Sequence, residues 1–334
     1  MQKRAPFNAY VSAIGHFVPP RVITNQHFEK YLNTTNEWIL ERTGISERRY
    51  LEDDQPTSYA AAKAIEMILQ EKNMSADEID LIIIATVTPD MLYPSTACMT
   101  QHAIGAKNCW GFDLSGACSG FIFALTTGVQ FIESGMYKKV MVVGADKMSA
   151  IIDPMDRNTC ILFGDGAGAV LLEPIKDKDT GIIDSIMRID GEGGKYLRQP
   201  GGGSLHPSSL ETVEKKMHFV HQDGRAVFIA AVKGMADVSA EIMEKNNLKP
   251  EDVAYLVPHQ ANLRIISATA ERMGITMEKV MINIHKYGNT TAATIPLCIS
   301  EYWREGKLKK GDNLVLSSFG AGYTWGSILL RWAI

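Results

Sequence analysis

Apolar residues follow two patterns along the chain, and each pattern predicts one kind of element. Apolar positions spaced three and four residues apart at 61–69 and 228–243 predict amphipathic helices. Unbroken apolar runs rich in β-branched residues, such as 81–84, predict strands that are buried on both faces. Together the patterns predict an α/β protein in which helices cover both faces of the strands.

These predicted elements repeat once. The helix and strand within 61–84 are matched in order by those within 228–257. A lysine-containing turn and strand at 135–144 are matched at 306–316, and a glycine-rich turn follows each. The repeat predicts a duplicated α/β unit with packed halves. The predicted parts are an N-terminal half at 1–174, a linker and surface excursion at 175–222, and a C-terminal half at 223–334.

Composition narrows the class of protein. The chain has 334 residues, of which 46% are hydrophobic and 22% charged, as expected for a globular fold. No apolar run approaches the roughly 18 residues of a membrane span. A net charge of −4 without clusters of either sign argues against a broad nucleic-acid-binding surface. The first residues lack the apolar core of an export signal, so we expect a cytoplasmic protein.

One of the five cysteines has the setting of a nucleophile. Cys118 lies in Gly116-Ala-Cys-Ser-Gly120, between a predicted strand and a predicted helix. The N-terminus of a helix lowers a thiol pKa and favours a reactive thiolate. The alternative is a structural cysteine in a tight turn, since cysteine is often buried. The chain has no C-x-x-C pair, which argues against a disulfide framework or a thiolate zinc site.

Two further residues are candidate partners of this thiol. His259 follows the predicted strand at 253–257, and catalytic groups gather at such strand ends. Aligning the two halves places Asn289 at the helix start that corresponds to Cys118. On this interpretation the three side chains converge between the halves. The alternatives are a hydrogen-bonded loop histidine and an ordinary helix N-cap.

Other motifs are absent or structural. The run Gly164-Asp-Gly-Ala-Gly168 leads into a predicted strand rather than a helix, so it lacks the geometry that cradles a phosphate. The chain has no phosphate-binding loop of the G-x-x-x-x-G-K-[ST] type, no H-E-x-x-H and no EF-hand loop. We therefore expect neither nucleotide hydrolysis nor a metal site.

Several motifs in order resemble those of the β-ketoacyl-ACP synthase III family, the condensing enzymes that initiate bacterial fatty acid synthesis. They are Gly116-Ala-Cys-Ser-Gly, Phe163-Gly-Asp-Gly-Ala-Gly-Ala, His259-Gln-Ala-Asn-Leu-Arg264, Gly288-Asn-Thr-Thr-Ala-Ala-Thr-Ile-Pro, Gly320-Ala-Gly-Tyr-Thr-Trp-Gly and Asn36-Glu-Trp-Ile-Leu-Glu-Arg-Thr-Gly-Ile. The resemblance implies the thiolase fold, with two βαβαβαββ halves in five αβαβα layers. It also implies a homodimer.

The resemblance assigns a reaction. A decarboxylative condensation would join an acyl-CoA primer, such as acetyl-CoA, to malonyl-ACP and release CO2 and coenzyme A, with no metal or redox cofactor. Cys118 resembles the acylated nucleophile, and His259 and Asn289 resemble the pair that binds the malonyl thioester carbonyl. The backbone N–H groups of Cys118 and Ala321 would form a second oxyanion hole.

The resemblance also implies substrate contacts. Trp38 and Arg157 would hold the adenine of coenzyme A, and Arg42 would lie near its phosphates. The alternative is that Trp38 and Arg42 only share a helix face. Phe319 would line the acyl pocket, and Tyr93 of a partner subunit would close it against long primers. The remaining expected contacts, those with an acyl carrier protein, fall on Arg264 and Arg272.

Other functions stay open on the sequence alone. A cysteine hydrolase of the α/β-hydrolase type would explain the G-x-C-x-G motif, but that fold has no duplication and needs a triad acid. A related condensing enzyme that uses longer or specialised primers in secondary metabolism would share all three candidate catalytic residues. A binding protein for acyl carriers would not need them.

Overall fold

The structure, a computed structural model, describes residues 7–334. The first six residues, which enter the expectation about an export signal, lie outside this part of the chain. The strands are β1 (Asn8–Phe17), β2 (Arg21–Thr24), β3 (Glu47–Tyr50), β4 (Leu81–Ala85), β5 (Trp110–Leu114), β6 (Val140–Asp146), β7 (Gly166–Ile175), β8 (Gly181–Ile189), β9 (Leu197–Arg198), β10 (His221–Gln222), β11 (Tyr255–Pro258), β12 (Asn313–Gly320) and β13 (Thr324–Arg331). The α-helices are α1 (Asn25–Glu29), α2 (Asn36–Thr43), α3 (Thr57–Lys72), α4 (Thr96–Ala103), α5 (Gly120–Glu133), α6 (Leu210–Glu214), α7 (Gly224–Lys245), α8 (Leu263–Met273), α9 (Ile284–Tyr287) and α10 (Thr294–Arg304).

Each half of the chain builds its own sheet. The first sheet has the order β1-β7-β6-β4-β5, with β4 parallel to both β5 and β6. The second has the order β11-β12-β13-β8, with β11 parallel to β12. Helices cover both sheets, which confirms the predicted thiolase-like α/β class.

The two sheets share a central helical layer. Helices α5 and α10 contact strands of both sheets, whereas α3 packs on the far face of the first sheet and α7 on the far face of the second. Strand β4 shows why the run at 81–84 is apolar throughout. Leu81 and Ile83 belong to the central core with α5, and Ile82 and Ile84 to the core with α3. Burial of such a side chain contributes about 1.5–3 kcal/mol.

The prediction of 175–222 as a linker is wrong for its first part. Residues of β8 pair along their length with β13, so this strand belongs to the second sheet. The glycine-rich and polar composition of the whole segment 175–222 misled the prediction, although five of the nine residues of β8 are apolar. As an edge strand, β8 is only partly buried beyond Ile182. The fifth strand expected in the second sheet is reduced to a single bridge between Leu256 and Val280.

Within residues 7–334, no helix has the length and apolar character needed to cross a membrane.

Candidate active site

A cavity of ≈ 1230 Å³ opens between the halves. Its walls include Cys118, His259, Asn289, Phe319 and Ala321, which lie far apart in the sequence. The structure thus brings the three predicted catalytic side chains to one place.

Cys118 lies in a tight turn directly before α5. The turn, Ala117–Ser119, begins with Ala117 at φ 48°, a conformation that costs a residue with a Cβ about 1–3 kcal/mol and often marks a functional site. Contacts with the other half hold it. The Cys118 carbonyl accepts a hydrogen bond from Ser318 Oγ at 2.8 Å, and Ser119 Oγ donates to the Thr324 carbonyl at 3.0 Å.

The Cys118 thiol is protonated at neutral pH in the free protein. Burial raises its pKa to about 12, and the carboxylate of Asp146 adds to the rise. Hydrogen bonds from its own backbone and from the Asn289 side chain act in the opposite direction. The sequence led us to expect a lowered thiol pKa at the helix start. Burial outweighs that effect, so a nucleophilic Cys118 needs a proton acceptor.

His259 lies one residue beyond β11 with its ring buried. Its backbone N–H donates to the Ser317 carbonyl at 2.8 Å, and ring Nδ1 lies 2.8 Å from Thr294 Oγ1. Nε2 has no hydrogen-bond partner among the described residues, although it is buried. Burial lowers the pKa of His259 to about 3, so the ring is neutral at neutral pH.

Asn289 is held by the N-terminal half. Its N–H donates to the Leu162 carbonyl at 2.9 Å, and its carbonyl accepts from the Gly164 N–H at 3.0 Å. Its side-chain Oδ1 accepts a hydrogen bond from the Thr291 N–H at 2.9 Å. Because that partner is a donor, the amide oxygen must face it and the NH2 group is left for Cys118. The helix-cap alternative is thus half correct, since Asn289 caps a turn and still presents its NH2 group.

The structure matches the two halves in a different register from the one used in the sequence alignment. Ala117 and Thr291 both have φ 48°, and each begins the short turn that leads into a central helix. Cys118 therefore corresponds to Ala292, not to Asn289. Asn289 lies three residues earlier, so the sequence alignment reached a residue that lines the cavity, but through a wrong register.

Asp146 is a buried site residue that the sequence analysis missed. One of its carboxylate oxygens accepts hydrogen bonds from Val87 N at 2.8 Å and from the hydroxyls of Thr86 and Thr88 at 3.0 Å. The other accepts from the Thr291 hydroxyl. Asp146 thus ties the turn after Asn289 to the end of β6. The sequence feature that could have revealed Asp146 is its place as a single acidic residue directly after the apolar run 140–145.

The end of β12 lies against the Cys118 turn. A Cβ on Gly320 would come within 2.8 Å of the Cys118 nitrogen and 3.0 Å of the Ser119 nitrogen, so only glycine fits there. Ala321 follows and lines the same cavity as Cys118. The two backbone groups predicted to form an oxyanion hole therefore lie on adjoining walls.

An aromatic and two arginines meet near the mouth of the cavity. The guanidinium carbon of Arg157 lies 4.8 Å from the centre of the Trp38 ring, and that of Arg42 lies 5.4 Å from it. Arg157 also donates to the Asn33 carbonyl at 2.8 Å. At 4.8 Å the Arg157–Trp38 stack leaves no room for another ring. Adenine could enter between them only if Arg157 moved.

The two arginines expected to contact a carrier protein differ in their surroundings. Arg264 is exposed in the first turn of α8, at the cavity wall, with its guanidinium carbon 4.6 Å from the Phe228 ring centre. Arg272 lies at the far end of α8, with Nε 3.6 Å from Asp237 Oδ1. Eight residues of helix separate them by roughly 12 Å. Arg264 is the better placed of the two to meet a ligand entering the cavity.

The two predicted acyl-pocket residues have different positions. Phe319 is buried in the cavity wall, 4.9 Å from Tyr323 between ring centres. Tyr93 is 85% exposed, whereas its neighbours Met91 and Leu92 line the cavity. Within one chain Tyr93 closes nothing. Its role toward a partner subunit stays a prediction.

In the described part of the chain, no group of three or more His, Cys, Asp or Glu side chains is arranged to hold a metal ion.

Comparisons with known proteins agree with this fold. Family models described as 3-oxoacyl-[acyl-carrier-protein (ACP)] synthase III and its C-terminal part match residues 112–191 and 243–332. The chain is 58% identical to β-ketoacyl-[acyl-carrier-protein] synthase III of Chlorobaculum tepidum, over 97% of this chain and 99% of that protein. It is 55% identical to the protein of the same name from Koribacter versatilis, over 97% and 98%.

Solved structures of related proteins are also similar to this chain in fold and sequence. The 3-oxoacyl-[acyl-carrier-protein] synthase III of Aquifex aeolicus superposes with a TM-score of 0.89 at 43% identity, covering 97% of this chain and 100% of that one. The priming β-ketosynthase of the R1128 polyketide pathway gives a TM-score of 0.91 at 32% identity, covering 100% and 98%. Fold and site thus define a thiolase-fold condensing enzyme. The chain belongs to the 3-oxoacyl-[acyl-carrier-protein] synthase III family, as its motifs predict.

Proposed function

We propose that this enzyme condenses a short acyl-CoA primer with malonyl-ACP to give 3-oxoacyl-ACP, CO2 and coenzyme A, as the first condensation of fatty acid synthesis. Family membership makes the chain a condensing acyltransferase. The observation that carries the proposal is the meeting of Cys118, His259 and Asn289 in one cavity between the halves.

In the first half-reaction the Cys118 sulfur attacks the thioester carbonyl of the primer. Negative charge then develops on the carbonyl oxygen. The backbone N–H groups of Cys118 and Ala321 would donate to it, since donors placed before the reaction stabilise such an oxyanion. Coenzyme A leaves, and Cys118 carries the acyl group as a thioester.

In the second half-reaction the malonyl thioester enters the same cavity. Its carbonyl oxygen accepts hydrogen bonds from Asn289 Nδ2 and from His259 Nε2–H. Loss of CO2 leaves an enolate, whose charge these two neutral donors stabilise. The enolate carbon attacks the acyl group, and Cys118 is released as the leaving thiolate. This proposal uses no metal ion or redox cofactor, because loss of CO2 drives the condensation.

Both substrates reach Cys118 through the mouth of the cavity. We assign the adenine of coenzyme A to Trp38 and Arg157 and its phosphates to Arg42. The acyl carrier protein would dock at Arg264, with Arg272 as a more distant contact, because acidic carriers are attracted to basic residues.

The proposal also covers the oligomeric state and the cellular compartment of the enzyme. We place the enzyme in the cytoplasm as a homodimer in which Tyr93 of one subunit limits the acyl pocket of the other. Light scattering should give twice the chain mass of 36.8 kDa. A monomer at micromolar concentration would remove the basis for this role of Tyr93.

A labelled primer distinguishes the proposed reaction from its alternatives. The enzyme is incubated with radiolabelled acetyl-CoA, with and without malonyl-ACP. Labelled 3-oxoacyl-ACP formed only with malonyl-ACP supports the proposal. Free labelled acetate would indicate a hydrolase, and the absence of any product would indicate a binding protein. A panel of longer acyl-CoA primers tests the second candidate, since preference for dodecanoyl-CoA over acetyl-CoA would favour a specialised condensing enzyme.

A further inference from the structure

Thr294 is the one described side chain that is hydrogen-bonded to the His259 ring. It is the first residue of α10 and is 2% exposed. Its Oγ1 lies 2.8 Å from His259 Nδ1 and 3.0 Å from the Thr291 carbonyl oxygen. These two contacts decide which nitrogen of the neutral ring carries the proton.

The carbonyl oxygen of Thr291 can only accept a hydrogen bond, so Thr294 must donate to it. A hydroxyl has a single proton, and this contact uses it. The remaining contact then requires Nδ1–H of His259 to donate to the oxygen of Thr294. In the resting ring the proton is therefore on Nδ1, and buried Nε2 carries an unshared lone pair without a partner among the described residues.

We propose that Thr294 is a positioning residue that keeps His259 in the Nδ1–H form, so that Nε2 takes the proton from the Cys118 thiol when the primer is attacked. This inference rests on the proposed function and adds the proton acceptor that the first half-reaction needs.

The proton balance closes within the first half-reaction. The S–H bond of Cys118 breaks, an N–H bond forms at Nε2, and the sulfur bonds to the carbonyl carbon of the primer. When the bond from that carbon to the coenzyme A sulfur breaks, the departing thiolate takes the proton from Nε2. Coenzyme A leaves as a thiol, and His259 returns to its neutral form.

A hydroxyl also suits the second half-reaction. Thr294 can rotate its proton from the Thr291 carbonyl toward Nδ1, and then supports the form of His259 with its proton on Nε2. The exchange removes one proton from Nδ1 and adds one at Nε2, with solvent as the carrier, so the ring stays neutral. A carboxylate beside Nδ1 would hold the proton there and block this change.

The test variant is Thr294→Val, which keeps the shape of the side chain and removes the hydroxyl. Next to a methyl group, a proton on Nδ1 would be buried without an acceptor, so the Nδ1–H form loses its advantage and the form with the proton on Nε2 becomes populated. We expect acylation by acetyl-CoA to slow on the order of 10²-fold, the lower end of a general base's contribution. CO2 release from enzyme that has first been fully acetylated should stay near the wild-type rate, because Nε2–H is already the donor.

Matched variants separate this role from damage to the fold. Thr294→Ser restores the hydroxyl and should recover acylation. Thr269→Val removes another buried threonine hydroxyl, which donates to the Ile265 carbonyl at 3.0 Å within α8, and should leave both half-reactions unchanged. The ¹⁵N resonances of His259, identified by their absence in His259→Gln, should report a proton on Nδ1 in the wild type and on Nε2 in Thr294→Val.

Three results would overturn the inference: unchanged acylation in Thr294→Val, an equal loss in both half-reactions, or a wild-type ring with its proton on Nε2. Failure of the proposed function looks different. In that case the wild-type enzyme would itself form no labelled 3-oxoacyl-ACP from acetyl-CoA and malonyl-ACP.

Discussion

The backbone N–H of Asn289 donates a hydrogen bond of 2.9 Å to the carbonyl of Leu162, across the boundary between the two halves. Phe163 forms a bridge with Asn289, and the Gly164 N–H returns a bond of 3.0 Å to the Asn289 carbonyl. A segment of the N-terminal half therefore fixes a side chain of the C-terminal half beside Cys118. The site exists only when the halves pack together.

Gly288 makes this crossing possible, so Gly288→Ala should disturb it. Gly288 has φ +63°, and an added Cβ would lie 2.7 Å from the Leu162 carbonyl oxygen. With ψ −151°, this is a backbone conformation that essentially only glycine adopts, and it costs a residue with a Cβ about 1–3 kcal/mol. We expect a lower melting temperature and slower CO2 release. The control is Gly105→Ala, at φ +70° with open space around the Cβ, which should lower the melting temperature less and leave CO2 release unchanged.

Cys118→Ala should abolish covalent acylation by acetyl-CoA. Two other cysteines serve as controls because neither lines the cavity. Cys98 is exposed, and Cys298 is buried in α10. Cys98→Ala and Cys298→Ala should therefore still form the acetyl adduct. Intact-mass spectrometry measures the adduct directly. An acetyl group that persists on the Cys118→Ala protein would show that another residue is the nucleophile.

Alkylation of Cys118 should rise with pH without levelling off near neutrality. Burial raises the pKa of this thiol to about 12, and only the thiolate reacts. Below that pKa the thiolate fraction, and with it the rate, grows about tenfold per pH unit. Peptide mass spectrometry after iodoacetamide treatment at pH 7, 8 and 9 gives the rate at Cys118 alone. A plateau within this range would mean that the resting enzyme already holds a thiolate.

Much of the site was predictable because its chemistry is local in sequence. The turn around Cys118, the strand end before His259 and the glycine before Asn289 each leave a short motif. Asp146 is marked only by its place at the end of an apolar run, and Thr294 lies in the motif that begins at Gly288 without any sign of its own role. Each acts through a contact with a residue distant in sequence. The alignment of Cys118 with Asn289 failed for a related reason. The strand that would have set the register of the second half is reduced to one bridge at Val280.

Arg264→Ala should raise the KM for malonyl-ACP and leave acylation by acetyl-CoA nearly unchanged. Arg264 makes no ion pair with another described residue, so its charge is available to an acidic carrier. Arg272→Ala, which removes a charge already paired with Asp237, should have a smaller effect. Steady-state kinetics with malonyl-ACP and with malonyl-CoA separate docking from chemistry. An equal loss with both extenders would place Arg264 in the catalytic step.

The central claim is that the two half-reactions use different donors, backbone groups near Cys118 for the first and the side chains of His259 and Asn289 for the second. The most direct test measures acetylation and CO2 release separately on Asn289→Ala and His259→Ala. Losing one oxyanion donor costs on the order of 10²–10³ in rate. We expect CO2 release from malonyl-ACP to fall by that factor in both variants, with acetylation intact in Asn289→Ala and slower in His259→Ala. Normal CO2 release from Asn289→Ala would contradict the account and leave Asn289 as a cap for the turn at Thr291.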